Sequence, residues 1–467
     1  MKIKDTRDTI CAPATAPGNA AIAVVRLSGD DAVRIAGDIF KPANARQEVA
    51  KAPSHKMLYG DVLDGDRPLD EVLLTKFVAP HSYTGEDMVE VSCHGSPYIQ
   101  QQILRVMMEH GARMAEAGEF TLRAFLNGRM DLSQAEAVAD LIASNSEASR
   151  QIAFQQMRGH FSKRIMELRQ KLVEFASLIE LELDFSEEDV KFADRKDLME
   201  LLDSVDAEVE KLKQSFSMGN VLKHGIPVAI IGHPNVGKST LLNAILNEDR
   251  AIVSEIPGTT RDAIEDVITI NGVAFRFIDT AGLRDESEDH IETVGIERTH
   301  EKIQQASIIL YMFDISRTTL EEVRETIRTF REKVGDQEKR LVLIANKIDL
   351  LDEIPHHFRN LVELETIFVS AKRKENISMI TDSLLNYVQA GPEEQQGTMV
   401  TNIRHYEALT RTAGAIAAVR EGVRNNIPGD LLAIDLREAL QHLGTITGEV
   451  SSDEILGEIF GRFCIGK

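Results

Sequence analysis

Several residue types are scarce in this sequence, and each scarcity excludes a class of protein. The chain has 467 residues but only three cysteines and no tryptophan. Cys11, Cys93 and Cys464 are too widely separated along the chain to suggest a disulfide framework or a zinc-ligand pair. The opening MKIKDTRDTI lacks an apolar signal-peptide core, and no run of about 18 apolar residues could span a bilayer. A cytoplasmic protein without membrane association is therefore expected.

Basic residues are also few relative to acidic residues. There are 53 Lys and Arg residues against 75 Asp and Glu residues, which gives a formal net charge of −22. A surface that is basic overall is excluded. If RNA is a partner, a local patch or a second protein must supply the positive charge.

The pattern of predicted helices and strands changes at three places along the chain, and the length of the chain favours several domains. Residues 1–128 alternate short β-like runs (21–27, 71–78, 88–93) with helical stretches such as 99–110, which predicts an α+β domain. Residues 129–222 are helical. Their long-helix stripe is Ile165, Leu168, Leu172, Phe175 and Ile179, and a second helix is predicted over 195–216.

Residues 223–388 have a different pattern. The apolar runs PVAIIG, FRFIDT, SIILYMFDI, RLVLIANK and TIFVSA alternate with helical stretches, which predicts a Ras-like α/β domain with a doubly wound, mostly parallel sheet. After the polar linker GPEEQQG, residues 389–467 return to helices at 404–424, 429–443 and 451–463. The α/β domain is therefore predicted to be inserted into an all-α helical domain.

A phosphate-binding pattern occurs at the start of the inserted domain. Gly232-His-Pro-Asn-Val-Gly237-Lys238-Ser239 follows an apolar strand and opens a helix, the context that a P-loop requires. The glycines let backbone N–H groups cradle phosphates, Lys238 places a cation against the β- and γ-phosphates, and the Ser239 hydroxyl binds Mg²⁺. The alternative is a chance strand–turn–helix with a structural glycine, and the motifs that follow argue against it.

The companion motifs follow in the order found in GTPases. GTTR at 258–261 is the predicted switch I, with Thr260 as the second Mg²⁺ hydroxyl, and DTAG at 279–282 is the predicted switch II, with Asp279 reaching Mg²⁺ through water. In NKID at 346–349, Asp349 can accept two hydrogen bonds from guanine, whereas adenine lacks that donor pair; SAK at 370–372 would bring a backbone N–H to guanine O6. The predicted GTP contacts are Asn235, Val236, Gly237, Lys238, Ser239, Thr240, Ser254, Thr259, Thr260, Asp279, Thr280, Ala281, Gly282, Asn346, Lys347, Asp349, Ser370, Ala371 and Lys372.

One position departs from Ras. Leu283 follows Gly282, where Ras-type enzymes keep the glutamine that orients the attacking water. Since leucine cannot orient water, another carboxylate or amide must do so, and the segment RDESEDHIE at 284–292 is rich in candidates.

Nearly end to end, the chain resembles the bacterial tRNA-modification GTPase MnmE (TrmE) family. The matching segments are DTICAPATAPGNAAIAVVRLSG, SYTGEDMVEVSCHG, GEFTLRAFLNGRMDLSQAEAVADLI, GHPNVGKSTLLNAI, PGTTRD, DTAGLR, VGIERT and the terminal FCIGK. Other GTPases with similar P-loops, such as Era, lack both flanking regions.

The resemblance implies a mechanism for the G domain. The family hydrolyses GTP with the help of K⁺ when two G domains meet face to face. The matched K⁺ ligands are Asn235, Ser254, Ile256 and Thr259. The matched catalytic glutamate is Glu292 when counted from Gly295-Ile-Glu; counting from Asp279 instead gives Ile291, which cannot serve.

The resemblance also implies cofactors and partners. The N-terminal domain dimerises and binds a tetrahydrofolate derivative, with matched contacts at Arg26, Glu86, Arg129 and Lys467. The partner is MnmG (GidA), an FAD protein, in a heterotetramer. Together they add a carboxymethylaminomethyl or aminomethyl group to C5 of the wobble uridine of certain tRNAs.

Without the resemblance, the same residues have simpler interpretations. Arg26 is typical of a solvated strand end, Glu86 of a turn, and Arg129 of the surface before an N-cap at Asp131. Cys464, beside an apolar helix end, is typical of a small packed residue. A catalytic role for Cys464 is left open by the family's FCIGK element.

The sequence is compatible with three functions. The preferred one is a GTPase for wobble-uridine modification. The second is a regulatory G-domain switch whose partners carry out all the covalent chemistry. The third, an Era-like ribosome-assembly GTPase, predicts a basic C-terminal RNA domain, and the mixed charge of 451–467 argues against it.

Overall fold

The computed structural model describes residues 8–184, 195–247, 251–253, 266–278, 304–334, 339–355, 358, 364–389, 399–425, 427–461 and 463–466. Its contacts divide the chain into two compact units. The first comprises Met1–Ala139, Gln156–Val205 and Arg411–Lys467, and the second comprises Asp140–Gln155 and Asp206–Thr410. The domain boundaries expected at 128, 222 and 388 stay predictions.

The first unit contains a seven-stranded sheet, counted over the described part of the chain. Its strands are β1 (Ile10–Pro13), β2 (Ala20–Ser28), β3 (Phe40–Pro42), β4 (Lys56–Asp64), β5 (Arg67–Phe77), β6 (Met88–Gly95) and β7 (Arg113–Met114). Their order is β3-β4-β5-β6-β2-β1-β7. The ladders are antiparallel except between β1 and β7.

Two helices cover one face of this sheet. They are α1 (Ala32–Ile39) and α2 (Pro97–Glu109), and their Ile35 and Ile103 share a buried core with Val25 of β2 and Val91 of β6. Because side chains alternate between the faces of a strand, one face of β2 and β6 supplies this core. The predicted α+β fold is confirmed.

A series of helices follows. They are α3 (Glu119–Leu126), α4 (Leu132–Ala143), α5 (Glu147–Met157), α6 (His160–Asp184) and α7 (Arg195–His224). Asp131 caps α4 as predicted: its Oδ1 accepts the Gln134 N–H at 3.0 Å, and Gln134 Oε1 accepts the Asp131 N–H at 3.0 Å. The helix predicted over 195–216 continues to 224 and stops at Gly225, whose φ is +87°.

The second unit contains another seven-stranded sheet within the described ranges. Its strands are β8 (Ile226–Ile231), β9 (Ala251–Val253), β10 (Asp266–Ile270), β11 (Val273–Phe277), β12 (Ile308–Asp314), β13 (Arg340–Asn346) and β14 (Thr366–Val369). The order is β14-β13-β12-β8-β11-β10-β9. The ladders from β14 to β11 are parallel, and those joining β11, β10 and β9 are antiparallel.

Separate apolar clusters cover the two faces of this sheet. Leu241 of α8 (Lys238–Leu246) and Ile380 of α10 (Ile377–Gln389) pack on one cluster, while Ile327 of α9 (Leu320–Val334) packs on the other. Helices on both faces of a mostly parallel sheet make the doubly wound arrangement, which confirms the predicted α/β class. Strands β9 and β10 were not predicted, because they are short and lie at the antiparallel edge.

The chain then returns to helices. These are α11 (Ile403–Arg424), α12 (Gly429–Thr447) and α13 (Asp453–Gly461). In the first unit α12 packs against α6, whose predicted stripe is buried. The all-α prediction for this part is confirmed. Of the helices in the described ranges, none combines the length and apolar character needed to cross a bilayer.

Candidate functional site

The P-loop lies where the sequence predicts, between β8 and α8. Gly232 has φ +151°, and a Cβ there would meet the Met312 carbonyl oxygen at 2.1 Å; Gly237 has φ +101°, and its Cβ would meet Asn346 Nδ2 at 2.7 Å. Glycine is required at both places, because the loop is pressed against the ends of β12 and β13. Lys238 Nζ lies across the loop and donates to the carbonyls of Gly232 and His233 at 3.2 and 2.9 Å.

Asn346 joins the P-loop to the guanine-recognition segments. Its side-chain Nδ2 donates to the Val236 carbonyl at 2.7 Å, and its Oδ1 accepts the Ala371 N–H at 3.0 Å. Asn346 is 3% exposed. A single buried amide therefore fixes three predicted nucleotide-binding segments at the carboxyl edge of the sheet.

The rest of the NKID segment is held by further hydrogen bonds. Lys347 Nζ donates to the Asn235 carbonyl at 3.0 Å and to Asp314 Oδ2 at 2.8 Å. Asp349 Oδ1 accepts the Ser370 hydroxyl at 2.7 Å, which aligns the carboxylate predicted to read guanine. Ser239 and Thr240 lie in the first turn of α8 and Lys372 is exposed beside Ala371, so these residues share one edge of the sheet.

Many predicted residues lie outside the described part of the chain. They are Ser254, Ile256, Thr259, Thr260, Asp279, Thr280, Ala281, Gly282, Glu292 and Lys467. Of the two predicted Mg²⁺ ligands, the structure therefore describes only Ser239. Of the four predicted K⁺ ligands, it describes only Asn235. Asn235 has φ +61°, an uncommon conformation for a residue other than glycine.

A second cluster surrounds Arg26 on β2. Its Nε donates to Glu90 Oε1 at 2.8 Å, its Nη1 donates to the Gly466 carbonyl at 3.3 Å, and its guanidinium lies 5.5 Å from the centre of the Tyr83 ring. The interpretation of Arg26 as a solvated strand-end residue is wrong. A strand-end pattern cannot reveal that Gly466, 440 positions away, covers the side chain.

Glu86 is fixed in the loop before β6. Its Oε2 accepts the Ser28 hydroxyl at 2.8 Å, and both carboxylate oxygens lie 3.3 Å from Arg123 Nη1. Arg123 is 0% exposed. The interpretation of Glu86 as an ordinary turn residue is therefore incomplete, since its carboxylate is held from two sides.

Arg129 is exposed, as expected, and borders a cavity of about 480 Å³. A cavity of this size can take a small organic molecule. Tyr83 and Glu90, which contact Arg26, line it too. The cavity is therefore bordered by one predicted folate contact, Arg129, and by two neighbours of another, Arg26. Its lining residues are His55, Phe77, His81, Ser82, Tyr83, Met88, Glu90 and Arg129.

The cysteines differ in exposure. Cys11 and Cys93 are buried, and burial raises the pKa of each thiol to about 11. Cys464 is exposed, so its interpretation as a packed residue is wrong. The reason is that α13 ends at Gly461, before Cys464, and the next residue, Ile465, forms an isolated β-bridge with Ala117. Within the described ranges, no three His, Cys, Asp or Glu side chains gather to hold a metal ion.

Two functional candidates were missed by sequence reasoning. Asp314 binds Lys347, and Arg123 binds Glu86. A signal existed for each: Asp314 ends the apolar run SIILYMFDI at the carboxyl edge of the sheet, and Arg123 lies three residues after buried Phe120 on one helical face.

A P-loop and an NKxD segment joined at the carboxyl edge of a doubly wound sheet are the arrangement of a G domain. Comparisons with known proteins show which family of G-domain proteins the chain matches. The family model for the GTP-binding protein TrmE N-terminus matches residues 9–129, and the model for the MnmE helical domain matches residues 132–464.

Relatives that match over nearly the full length of the chain are members of the same family. The tRNA modification GTPase MnmE of Christiangramia forsetii is 52% identical over 98% of this chain and 99% of its own length, and that of Bacteroides fragilis is 50% identical over 99% and 100%. The chain belongs to the tRNA modification GTPase MnmE family. The solved G domain of the T. maritima FeoB iron transporter is 23% identical, covering 35% of this chain and 99% of that chain, with a TM-score of 0.26.

Proposed function

We propose that this chain hydrolyses GTP and acts in tRNA modification. The observation that carries the proposal is Asn346, which ties the P-loop to both guanine-recognition segments. Family membership adds the tRNA assignment, since the relatives are named for it.

Mg²⁺ fits the described half of the site. Ser239 is in the first turn of α8, next to Lys238 and the glycines of the loop, where a hydroxyl ligand of a P-loop belongs. Thr260 and, through water, Asp279 are proposed as the other contacts. The ion would offset negative charge on the phosphates.

The proposed hydrolytic route uses K⁺ and Glu292. Leu283 cannot orient water, so a carboxylate is needed, and Glu292 is the proposed residue. Asn235 is an exposed P-loop residue, as a side-chain K⁺ ligand must be; Ser254, Ile256 and Thr259 would complete the set. Glu292→Ala should lower the GTPase rate in K⁺ by orders of magnitude while leaving GTP affinity unchanged. Normal turnover by that variant, measured beside a Glu288→Ala control, would refute the assignment.

The N-terminal domain is the proposed site for a tetrahydrofolate derivative. Arg26, Glu86 and Arg129 carry the charges that a pterin and a carboxylate tail require, and Lys467 is the proposed fourth contact. The cavity beside Arg129 supports this, because Phe77, Tyr83 and Met88 give it aromatic and apolar walls. A purified chain that binds no tetrahydrofolate analogue would remove this part of the proposal.

The proposed partners are a second copy of the chain, bound through the N-terminal domain, and the FAD protein MnmG in a heterotetramer with tRNA as the substrate. The product would be wobble uridine carrying a carboxymethylaminomethyl or aminomethyl group at C5. A net charge of −22 is consistent with a second protein supplying positive charge for the RNA.

Nucleoside mass spectrometry of tRNA from cells lacking this protein tests the whole proposal. The C5-modified wobble uridines should disappear and return with the wild-type gene, but not with Lys238→Ala. Normal wobble uridines in the deletion strain would refute it. If the purified chain still hydrolysed GTP in that case, a regulatory switch would be the better description.

A further inference from the structure

Asp314 occupies an unusual place in the second unit. It is the last residue of β12, directly opposite Asn346 of β13 in the parallel ladder, and only 5% of it is exposed. Burying a carboxylate costs free energy unless cations or hydrogen-bond donors pair with it. Its partners therefore indicate why an acid is present there.

Both carboxylate oxygens of Asp314 are occupied. Oδ1 accepts the Ser316 N–H at 3.0 Å and the Ser316 hydroxyl at 2.6 Å, and Oδ2 accepts Lys347 Nζ at 2.8 Å. Burial alone would raise the pKa of Asp314, but the hydrogen bonds from Lys347 and Ser316 outweigh it and lower the pKa. Asp314 is thus a fixed anion paired with Lys347.

Lys347 needs such a partner. Its backbone has φ +70°, which few residues other than glycine adopt, and its side chain is a flexible four-carbon stem. The ammonium bridges two places at once: Asp314 on β12 and the Asn235 carbonyl of the P-loop, 3.0 Å away. The Asp314 carboxylate thus places a negative charge at the end of β12 that holds the ammonium beside the P-loop.

The P-loop end of this bridge is equally specific. Asn235 has φ +61°, and the carbonyl bound by Lys347 belongs to the residue whose side chain is the proposed K⁺ ligand. A hydrogen bond to this carbonyl restrains the peptide that follows Asn235 and with it the conformation of the loop.

We infer that Asp314 is a positioning residue that orients Lys347 and, through it, Asn235. The ion pair couples the guanine-recognition segment to the part of the P-loop proposed to hold K⁺. The inference rests on the proposed function of the G domain and adds to it that nucleotide affinity and K⁺ response depend on the same buried carboxylate.

Asp314→Asn tests this with little change of volume. It should weaken binding of a fluorescent GDP analogue by about tenfold or more, because a charge-assisted hydrogen bond is lost. It should also raise the K⁺ concentration that gives half-maximal GTPase rate. Ser316→Ala is the matched control, since it removes an Oδ1 partner and leaves the bond to Lys347; its GDP affinity should change by less than about twofold.

A double-mutant cycle separates positioning from a general structural role. If Asp314 acts through Lys347, then Asp314→Asn should weaken GDP binding in the wild type but add little in a Lys347→Ala background. Equal losses in both backgrounds would overturn the inference. So would an Asp314→Asn variant that unfolds at a lower temperature without nucleotide but keeps wild-type GDP affinity.

The two proposals can fail separately. If the wild-type GTPase rate were the same in K⁺ and Na⁺, the K⁺ part of the proposed function would fail, and the GDP-affinity cycle would still decide the role of Asp314. If the wild type responds to K⁺ and Asp314→Asn has the same half-maximal K⁺ concentration, the coupling to Asn235 is refuted.

Discussion

At the scale of single residues, the N-terminal domain contains a cluster of two arginines and three acids built around the buried side chains of Arg123 and Glu119. Arg123 Nη2 lies 3.1 Å from Glu119 Oε1, and Arg113 Nη1 lies 2.8 Å from Glu119 Oε2. Arg123 also holds Glu86, and both arginines bind Asp8. Because Glu119 is shared by both guanidinium groups, it fixes the arginine that orients the proposed folate contact.

Glu119→Gln is predicted to change stability in a pH-dependent way. Burial would raise the pKa of Glu119, but the hydrogen bonds from Arg113, the Glu116 amide and Arg123 outweigh it, so the pKa lies below its ordinary value of 4.5. The stabilisation is therefore complete above pH 4.5 and is lost as the pH falls through the lower folded value. Glu119→Gln should lower the free energy of unfolding by about 3 kcal/mol at neutral pH and flatten its acid dependence.

Denaturant unfolding, followed in this domain from about pH 7 to about pH 3, measures both effects. Glu116→Gln is the control, because Glu116 is an exposed acid in the same loop. An unchanged pH slope in Glu119→Gln would contradict the prediction.

The residues that sequence could predict are those defined by local motifs. Lys238 and Asn346 follow from short patterns at strand ends, and the stripe from Ile165 to Ile179 follows from helical spacing. The pairs Asp314–Lys347 and Arg123–Glu86 do not follow, because they lie 33 and 37 positions apart and meet only through the tertiary fold. The exposure of Cys464 does not follow from local motifs either, because it depends on where α13 ends.

At the scale of elements, the β10–β11 hairpin packs on Asn145, which follows α4, and on the first turn of α5. The hairpin turns through Asn271 and Gly272, whose φ values are +48° and +81°, as a two-residue turn of this type requires. The Ala148 N–H donates to the Gly272 carbonyl at 3.1 Å, and the Thr269 hydroxyl donates to the Asn145 carbonyl at 3.2 Å. The turn is thus both a hairpin and a contact with the helical segment.

Gly272→Ala is predicted to loosen this contact. A side chain at φ +81° costs about 1 kcal/mol, and its Cβ would lie 3.1 Å from Glu147 Cβ. Amide hydrogen exchange at Ala148 should therefore speed up, since its acceptor is the Gly272 carbonyl. Gly65→Ala is the matched control: Gly65 has φ +57° in a turn with open space around it, so Ala148 exchange should be unaffected. Equal protection of Ala148 in Gly272→Ala and wild type would rule out the contact.

At the scale of the whole chain, the residues that follow α13 lie against the N-terminal α+β region within the first unit. Ile465 bridges to Ala117, the Gly118 N–H approaches the Cys464 carbonyl at 3.4 Å, and the Gly466 carbonyl accepts Arg26 Nη1. The apolar pattern of residues 389–467 predicts their helices. It does not predict the contact of residues 464–466 with Arg26, Ala117 and Gly118, because these segments are far apart in the sequence. The Gly466 carbonyl therefore contacts Arg26, which is one of the proposed folate contacts.

Gly466→Ala is predicted to disrupt that site without disturbing the helices. Gly466 has φ +94°, and a Cβ there would lie 1.9 Å from the Pro13 carbonyl oxygen, so residues 465 and 466 must move away from β1. Arg26 would lose the Gly466 carbonyl, and affinity for a tetrahydrofolate analogue should fall by about tenfold. Gly461→Ala, at the end of α13 with nothing within 4 Å, is the control and should bind as wild type does. Titration calorimetry on both variants decides, and wild-type affinity in Gly466→Ala would show that the residues before Lys467 take no part in the site.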